Sequence, residues 1–578
     1  MAHTHTQTST FSDRLKNYIP KSITCLREYS LSNLRKDLIA GFTVGVIAFP
    51  FAIAAAVGAN ISPERGLFTA IVAGFLISAL GGSRVQIGGP TSTFIVILYG
   101  ILTRYGFDSL VIATLMAGVI LILFGLAGFG TYFKYIPYPV VTGLTTGIAV
   151  IIFSGQIKDF LGLDTGPLPA DFLKKWGAYY EHISSWNIWA VGVGVSTLFI
   201  IIFFRRYKPR LPGAIIALAI VSFITWIFQL DVDTIGSTYG SVHRTLPSPS
   251  LPSLSLENIL NLVPDALTIA LLVGIESLLS AVVSEGMTGW KHQSNCELVA
   301  QGLANIGSVI FGGLPASGSI SRTAANVKSG ATSPLAGMVH ALTLFLILFF
   351  LTPLINSIPL ASLAAVLIMI AWGMSELHHF LHLFTAPLRD IAVLVTVFTL
   401  TILLNITVAL QIGMILAAFL FMKQMSDLSD VVSVTDILEE PVDPSLRDPD
   451  ILQRSQIPER VEIYEINGPF FFGVADRLKN LLNGIERPPK VFILRMRKVP
   501  TIDASGMHAL EEFALECQRQ GTVLLLSGVK RNPLKDLERY QLDELIGKER
   551  IFPHIQPALA FTNALLAVPE DKGSATLV

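Results

Sequence analysis

Charged residues are scarce in this 578-residue chain, because Asp, Glu, Lys and Arg together make up only 14% of it. Soluble globular proteins usually carry about 25% charged residues, so most of this chain is not expected to face water. Hydrophobic residues make up 52%, which predicts a protein that crosses a membrane many times. The formal net charge is −1, so the charge balance gives no indication of a nucleic-acid partner.

Cysteine is also scarce, and its spacing argues against two kinds of site. Cys25, Cys296 and Cys517 lie too far apart along the chain to indicate a metal cluster or a disulfide framework. The sequence also shows no glycine-rich phosphate loop and no recognisable nucleophile–base pair. We therefore expect no metal, no cofactor and no enzymatic activity.

Long apolar runs, by contrast, occupy most of the chain up to about residue 426. A membrane-spanning helix needs roughly 20 mostly apolar residues. Two apolar stretches, Pro90–Leu102 and Gly318–Lys328, are too short to span, and each follows a Gly- and Pro-rich approach. The candidate spans are 37–59, 65–82, 108–128, 136–157, 187–204, 211–230, 262–284, 296–312, 334–355, 358–373, 388–404 and 406–426.

The two short stretches occupy matching places, since each is the third segment of its half of the chain. Paired, interrupted segments of this kind are typical of inverted-repeat transporters with discontinuous helices. We predict an α-helical polytopic membrane protein with 14 transmembrane segments, arranged as a 7+7 inverted repeat over 37–230 and 262–426 with two half-helices. The alternative interpretation is that the short stretches are ordinary loops with chance Gly and Pro content.

The distribution of Lys and Arg predicts the orientation, because cytoplasmic loops carry an excess of both. The connection FRRYKPR at 204–210 is dense in Lys and Arg. The connection 231–260, by contrast, has Arg244 as its only Lys or Arg, next to His243. With fourteen segments, this pattern places both termini in the cytoplasm. We expect a multi-pass protein of the cell membrane (inner or plasma membrane), with residues 1–36 as a cytoplasmic N-terminal segment.

The composition changes after about Met425. Residues 427–457 are acidic, polar and Pro-containing, which indicates a linker. From 458 to 568, strand-like stretches such as KVFILRMRKV alternate with helical ones such as ADRLKNLLNGI, which indicates a small α/β domain. Residues 569–578 form a C-terminal tail.

The starts of the two short segments are the first candidate site. A half-helix that begins inside the membrane has unpaired backbone N–H groups and the positive end of the helix dipole, and both favour an anion. The simpler interpretation is that the hydroxyl groups only cap short helices. The residues predicted to contribute amides or hydroxyls are Thr91, Ser92, Thr93, Gly318, Ser319, Ile320 and Ser321.

Glu276 is the strongest single candidate, because it lies well inside the apolar span 262–284. A lone charge there costs roughly 2.5–3.5 kcal/mol on insertion scales, so it usually faces a cavity or a partner. We predict that Glu276, with Ser280 one turn later, binds the coupling cation, H⁺ or Na⁺. The alternative is that Glu276 is a structural counter-ion for Arg322, which could itself attract the anion.

Several of these motifs together resemble the SulP (sulfate permease) family of anion transporters. They include DLIAGFTVGVIAFPFAIA (37–54), GGPTSTF (88–94), IESLLSAVVSEGMTG (275–289) and the segment 297–334. The stretch 284–334 is most similar to a bacterial branch that transports C4-dicarboxylates. The tail, with DASG at 503–506, resembles a cytoplasmic STAS domain. The resemblance implies a mobile core domain and a gate domain, elevator-like movement of the core, and a homodimer.

By position, the resemblance puts the anion site at Thr91, Gly318, Ser319 and Ser321 and the coupling position at Glu276. Sodium-coupled relatives need an oxygen ligand where this chain has Ile320, and this difference favours H⁺ as the coupling ion.

Ser505 of the DASG motif matches the serine that is phosphorylated in STAS antagonists. It is therefore a candidate site of regulatory phosphorylation. The alternative is that Asp503 and Ser505 simply cap the following helix.

The sequence therefore predicts secondary active transport of a small anion, sulfate, bicarbonate or a C4-dicarboxylate, by H⁺ symport. An electroneutral exchanger, or an anion channel or membrane sensor signalling through the STAS domain, is the alternative. The expected partners are the anion, the lipid bilayer, a second copy of the chain and a cytoplasmic protein bound by the STAS domain.

Overall fold

The chain divides into two compact units, Met1–Ala417 and Ala418–Val578. The structure is a computed structural model. It describes residues 18–26, 29–166, 168–169, 171–208, 211–250, 256–433, 457–471, 473–474, 477–478 and 488–567.

The first unit is built from long apolar helices. Their bounds are α1 Leu31–Gly58, α2 Pro63–Leu80, α3 Ile95–Leu126, α4 Tyr138–Gly155, α5 Ile188–Tyr207, α6 Gly213–Phe228, α7 Leu256–Thr288, α8 Ser294–Ile310, α9 Ile320–Lys328, α10 Leu335–Asn356, α11 Leu360–Met374, α12 Leu388–Leu403 and α13 Ile406–Leu428. Shorter helices at Lys21–Leu26, Ile157–Leu161, Phe172–Glu181, Ile235–Tyr239 and Leu377–His382 precede or connect them.

Each predicted span coincides with one of these helices to within a few residues, apart from α7, which extends to either side of its span, and α3, which begins well before its span. Among the described residues, nine helical segments are long and apolar enough to cross a membrane on their own. One junction differs from the prediction. The first short segment runs from a 3₁₀ turn, Ser92–Phe94, directly into α3, and the only break before residue 126 is at Gly106 (φ 81°, ψ 179°).

The helices pack in two groups. The first contains α1, α2, α3, α7, α8, α9 and α10, with α10 against α1 and α2 and with α8 against α3. The second contains α4, α5, α6, α11 and α12, with α12 against α4 and with α5 against α6 and α11. The interior of the first group also contains the approaches to both short segments.

A two-stranded antiparallel pair joins these approaches. Strand β1, Gly88–Gly89, pairs with β2, Ser317–Gly318, so that Gly88 lies opposite Gly318. A side chain at position 318 would have its Cβ 1.7 Å from Nε2 of Gln86. Glycine therefore allows the two approaches, which are far apart in sequence, to come into contact.

Two buried carboxylates hold the neighbouring loops. Glu297 is fully buried and accepts hydrogen bonds from the amides of Gly82 (2.9 Å) and Ser83 (3.1 Å), which lie just before β1. Asp37 is also fully buried and accepts from the amides of Thr332 (2.6 Å) and Ser333 (3.2 Å), just before α10. These bonds satisfy loop amides that would otherwise be costly to bury.

Tyr29, outside the spanning helices, also donates to Asp37 at 2.5 Å. Partial burial and the hydrogen bond to this carboxylate raise the pKa of Tyr29 to about 12. The phenol therefore remains protonated and able to donate at physiological pH.

The second unit contains a five-stranded sheet in the order β3-β4-β5-β6-β7. The strands are β3 Asp430–Ser433, β4 Val461–Asn467, β5 Val491–Lys498, β6 Val523–Ser527 and β7 Ile551–Phe552, and only β3 is antiparallel to its neighbour. The helices are α14 Ala504–Arg519, α15 Arg531–Arg539, a short helix Leu542–Ile546, and α16 Ile555–Ala567. They cover the apolar faces of the sheet, as alternating strands and helices predict.

One boundary in this unit differs from the sequence analysis. The segment predicted to be a linker begins with the end of α13 and then contains β3, which pairs with β4 from Asp430 opposite Asn467 to Ser433 opposite Tyr464. Residues 434–456, the rest of that segment, lie outside the described residues, as does most of the helix predicted at 475–485.

Candidate functional site

A cavity of about 900 Å³ lies between the two helix groups of the first unit. Both predicted helix starts line it, with Pro90–Thr93 on one side and Gly318–Arg322 on the other. Glu276 of α7 and Phe51 of α1 line the same cavity, and most of the remaining wall is apolar. The residues selected from sequence therefore converge on one space, with Ser280 as the exception.

Three hydroxyl groups surround the carboxylate of Glu276. Thr91 donates to Oε2 at 2.9 Å, Thr93 donates to Oε1, and Ser317 donates to Oε2. Thr91 and Thr93 come from the first helix start and Ser317 comes from β2, so the carboxylate bonds to both halves of the chain.

Sequence reasoning missed Ser317. The available signal was the run ASGS at 316–319, in which Gly318 and Ser319 were selected and Ser317 was not. Its role depends on the register of the strand pair, in which Ser317 lies opposite Gly89, and a short two-residue pairing cannot be read from composition.

Arg322 does not pair with Glu276. Within the described part of the chain no ion pair joins them, and the Arg322 Nη2 donates instead to the carbonyl oxygen of Pro90 at 2.8 Å. Glu276 and Arg322 are therefore not in direct contact, but each is within electrostatic range of the other, so the interpretation of Glu276 as a structural counter-ion stays a prediction. Arg322 ties the second helix start to the first, and its Nη1 is buried without a protein acceptor.

The amides available at the second start differ from the prediction. Gly318 N donates to the Ser277 hydroxyl at 2.9 Å, and Ser319 N donates to the carbonyl oxygen of Ile87 at 2.9 Å. These two amides cannot bind an anion because the strand pair and α7 already occupy them. The amides of Ile320 and Ser321, in the first turn of α9, have no acceptor among the described residues.

The amides of Ser92 and Thr93 at the first start are likewise without an acceptor in the described part of the protein. Each helix start therefore leaves two neighbouring amides for a ligand, which is the arrangement that binds anions at helix N-termini.

Ser280 lies one turn from Glu276 but points elsewhere. It is fully buried and donates to the Thr323 hydroxyl at 2.9 Å, which in turn accepts from the amide of Ile87 at 3.0 Å. Through Thr323, this side chain therefore helps to hold Ile87, the residue just before β1. Ser280 is not among the residues that line the cavity, and its predicted contact with a coupling ion beside Glu276 stays a prediction.

The remaining candidate hydroxyls lie at the cavity wall. Ser319 and Ser321 are 3.4 Å apart and exposed to the cavity, and Ser92 donates to the sulfur of Met374 at 3.4 Å.

Comparison with known proteins gives the family. The model of the sulfate permease family matches residues 34–399, and the model of the STAS domain matches residues 453–558. The chain belongs to the sulfate permease family. It is therefore a multi-pass membrane protein and an anion transporter, not an enzyme, and it ends in a STAS domain.

The sequences of individual relatives align with almost the whole of this chain. YvdB of Bacillus subtilis, whose name assigns it provisionally to sulfate transport, is 40% identical over 91% of this chain and 97% of its own length. The bicarbonate transporter BicA of Picosynechococcus is 27% identical over 88% of this chain and 92% of its own length.

A solved structure has the same fold. Murine Slc26a9, an anion transporter in its inward-facing state, superposes with a TM-score of 0.84 over 98% of this chain and 97% of its own, at 16% identity.

Two further observations concern the predicted coupling ion. Ile320 is 41% exposed and lines the cavity, so a hydrocarbon side chain does stand where sodium-coupled relatives are expected to have an oxygen. The hydroxyls of Thr93 and Ser317 nevertheless place oxygen atoms next to the Glu276 carboxylate.

In the STAS domain the carboxylate of Asp503 caps α14, accepting from the amide of Gly506 at 2.8 Å. Ser505 is exposed in the first turn of that helix, and no hydrogen bond of its hydroxyl is found in the described residues. Only Asp503 therefore acts as the cap, and the Ser505 hydroxyl points to solvent.

Proposed function

We propose that this protein is an H⁺-coupled anion symporter in which Glu276 carries the proton. The observation that supports this is the hydroxyl shell of Glu276, formed by Thr91, Thr93 and Ser317 in the wall of the transport cavity, without an ion pair to Arg322. Hydroxyl groups both donate and accept hydrogen bonds, whereas a guanidinium only donates. The same three groups can therefore bond the carboxylate and the protonated acid.

The anion in this proposal binds between the two helix starts. Its donors are the free amides of Ser92, Thr93, Ile320 and Ser321, and Arg322 adds a positive charge beside them. Each helix end contributes at most about 2 kcal/mol in a partly buried geometry, so the binding is strong enough to select an anion and weak enough to release it. Protonation of Glu276 removes a negative charge from the same wall and favours anion entry.

Transport then moves the binding site across the bilayer. The two helix groups correspond to the core and gate of an elevator-like mechanism, and the antiparallel pairing of β1 and β2 is the contact expected from two inverted repeats of seven segments each. A homodimer, cytoplasmic termini, a cytoplasmic partner of the STAS domain and modification of Ser505 belong to the same proposal.

The substrate is one of three anion classes. The names of the relatives favour sulfate or bicarbonate, and the resemblance of 284–334 favours a C4-dicarboxylate. A cavity of about 900 Å³ is large enough for all three, since pockets of 300–1,000 Å³ hold much larger ligands. A thermal-shift and uptake screen of the three classes, at two pH values, separates them.

The test of coupling is uptake by the Glu276→Gln variant in proteoliposomes. We expect the wild type to accumulate anion when the outside is acidic, and Glu276→Gln to lose this pH dependence because an amide carries no proton. The matched control is Glu376→Gln, which changes a second cavity-lining glutamate whose carboxylate faces His379 at 3.4 Å. It should keep the pH dependence.

Three other outcomes contradict the proposal. Uptake by Glu276→Gln with an unchanged pH profile shows that Glu276 does not carry the proton. Wild-type uptake that needs Na⁺, and not a pH gradient, assigns the oxygen shell to Na⁺. Uptake that needs only a counter-anion inside the vesicles identifies an exchanger.

A further inference from the structure

A second cavity, of about 490 Å³, lies between α5 and α11 beside the transport cavity. It is lined by Ile202, Arg205 and Arg206 of α5 and by Met369 and Trp372 of α11. Arg205 also lines the transport cavity. Met369 does so as well, so the two spaces share two side chains, and a ligand bound in the smaller cavity contacts the wall of the larger one.

The two arginines lack a protein counter-ion. Both are exposed at the last turn of α5, and neither has a hydrogen bond or an ion pair with any described residue. Adjacent guanidinium groups repel one another unless an anion lies between them. A guanidinium pair binds phosphate well, because each planar group can donate two parallel hydrogen bonds.

The rest of the lining is apolar and faces outward. Trp372 is 65% exposed and Ile202 is 53% exposed. A small hydrated anion would gain nothing from these surfaces, whereas an amphiphile with an anionic head would cover them. The two arginines belong to the basic stretch 204–210, and basic pockets between helices at the cytoplasmic side of a membrane protein bind anionic lipid headgroups.

We propose that Arg205 and Arg206 bind the phosphate of an anionic phospholipid at the mouth of the transport cavity, with its acyl chains lying on Ile202, Met369 and Trp372. Binding of the lipid engages the guanidinium of Arg205 and withdraws it from the cavity wall. Uptake should therefore change with the fraction of anionic lipid in the bilayer. This proposal does not depend on the identity of the coupling ion.

The test uses the full-length protein in phosphatidylcholine vesicles that contain brominated phosphatidylglycerol, whose bromine atoms quench nearby tryptophan. Brominated phosphatidylcholine at the same mole fraction measures ordinary lipid contact. We expect extra quenching by the anionic lipid in the wild type, and loss of this extra quenching in Trp372→Phe, which assigns it to the site.

Arg206→Gln is the decisive variant, because Arg206 lines the smaller cavity and not the transport cavity. It should remove the extra quenching and the dependence of uptake on phosphatidylglycerol, and Arg206→Lys should retain part of both. The matched control is Lys208→Gln, which removes one exposed positive charge two residues further on and should behave as the wild type.

Three results overturn the proposal. Equal quenching by the two brominated lipids shows that the site has no preference for an anionic head. Equal loss in Lys208→Gln shows a general effect of surface charge. Displacement of the extra quenching by millimolar free sulfate or phosphate shows that the arginines bind a soluble anion and not a lipid.

Discussion

At the scale of single residues, the chain stabilises a carboxylate inside a membrane helix without a direct ion pair. Burying Glu276 in an apolar span is expensive, and the cost is offset by hydroxyl donors from Thr91, Thr93 and Ser317. An arginine partner would hold the group in its charged form. Hydroxyl partners leave both protonation states accessible, and a residue that must bind and release a proton needs both.

The cap of α14 gives a prediction at the same scale. Asp503 accepts from the amide of Gly506, whereas the Ser505 hydroxyl has no such bond among the described residues. We expect Asp503→Ala to destabilise the STAS domain by about 1 kcal/mol, the usual cost of losing an N-cap, and Ser505→Ala to change it little. Limited proteolysis of the full-length protein in increasing urea measures the urea concentration at which the STAS domain is half unfolded in each variant. An equal decrease in this midpoint in both variants would show that Ser505 shares the capping.

Single residues were predictable from sequence where their own chemistry was unusual. Glu276 is a charge in an apolar run, and Gly318 follows a Gly- and Pro-rich stretch. Ser317 and the true partner of Ser280 were not predictable, because each depends on contacts between segments far apart in the chain. The hydrogen bond from Arg322 to the carbonyl oxygen of Pro90 was not predictable for the same reason.

At the scale of secondary structure, the pair of β1 and β2 determines the geometry of the site. It brings the two helix starts together. The amides of Gly318 and Ser319 already donate hydrogen bonds within the protein, so the first free amide of the second helix start is that of Ile320. The helices were predictable because each contains a long apolar run within its own sequence. The pairing of β1 with β2, and of β3 with β4, was not, because strands of two to four residues have no periodicity of their own.

This pairing predicts the effect of a single added methyl group. At Gly318, a Cβ would lie 1.7 Å from Nε2 of Gln86 and 3.0 Å from Cα of Ser277, so Gly318→Ala must displace the buried Gln86 amide, which donates to the carbonyl oxygen of Ser277 at 2.8 Å, and crowd α7. We expect a loss of uptake of tenfold or more, in line with the 1–3 kcal/mol that overpacking costs. Uptake in proteoliposomes, normalised to the amount of folded protein, measures this effect.

Gly100→Ala is the control for this prediction, because it adds the same group in α3, where nothing lies within 4 Å. It should transport as the wild type does. Normal uptake by Gly318→Ala would mean that the strand pair does not set the position of the site.

At the scale of the whole molecule, the transport cavity belongs to one unit. Every residue that lines it lies between Ile47 and Leu410, within the first unit, which ends at Ala417. We therefore expect the STAS domain to be dispensable for the anion site itself. Its influence on transport, if it has one, must act on the movement of the helices or on partners, and not on the chemistry of anion binding.

Deletion of residues 458–578 tests this separation. Because the cavity wall remains complete, we expect the truncated protein to bind its anion with an affinity within about twofold of the full-length protein, measured by thermal shift at several anion concentrations. Introducing Gly318→Ala into the truncated protein should abolish this shift, since the binding would still depend on the helix starts. Loss of binding in a truncated protein that remains folded would show that the STAS domain is needed to hold the two helix groups in their binding arrangement.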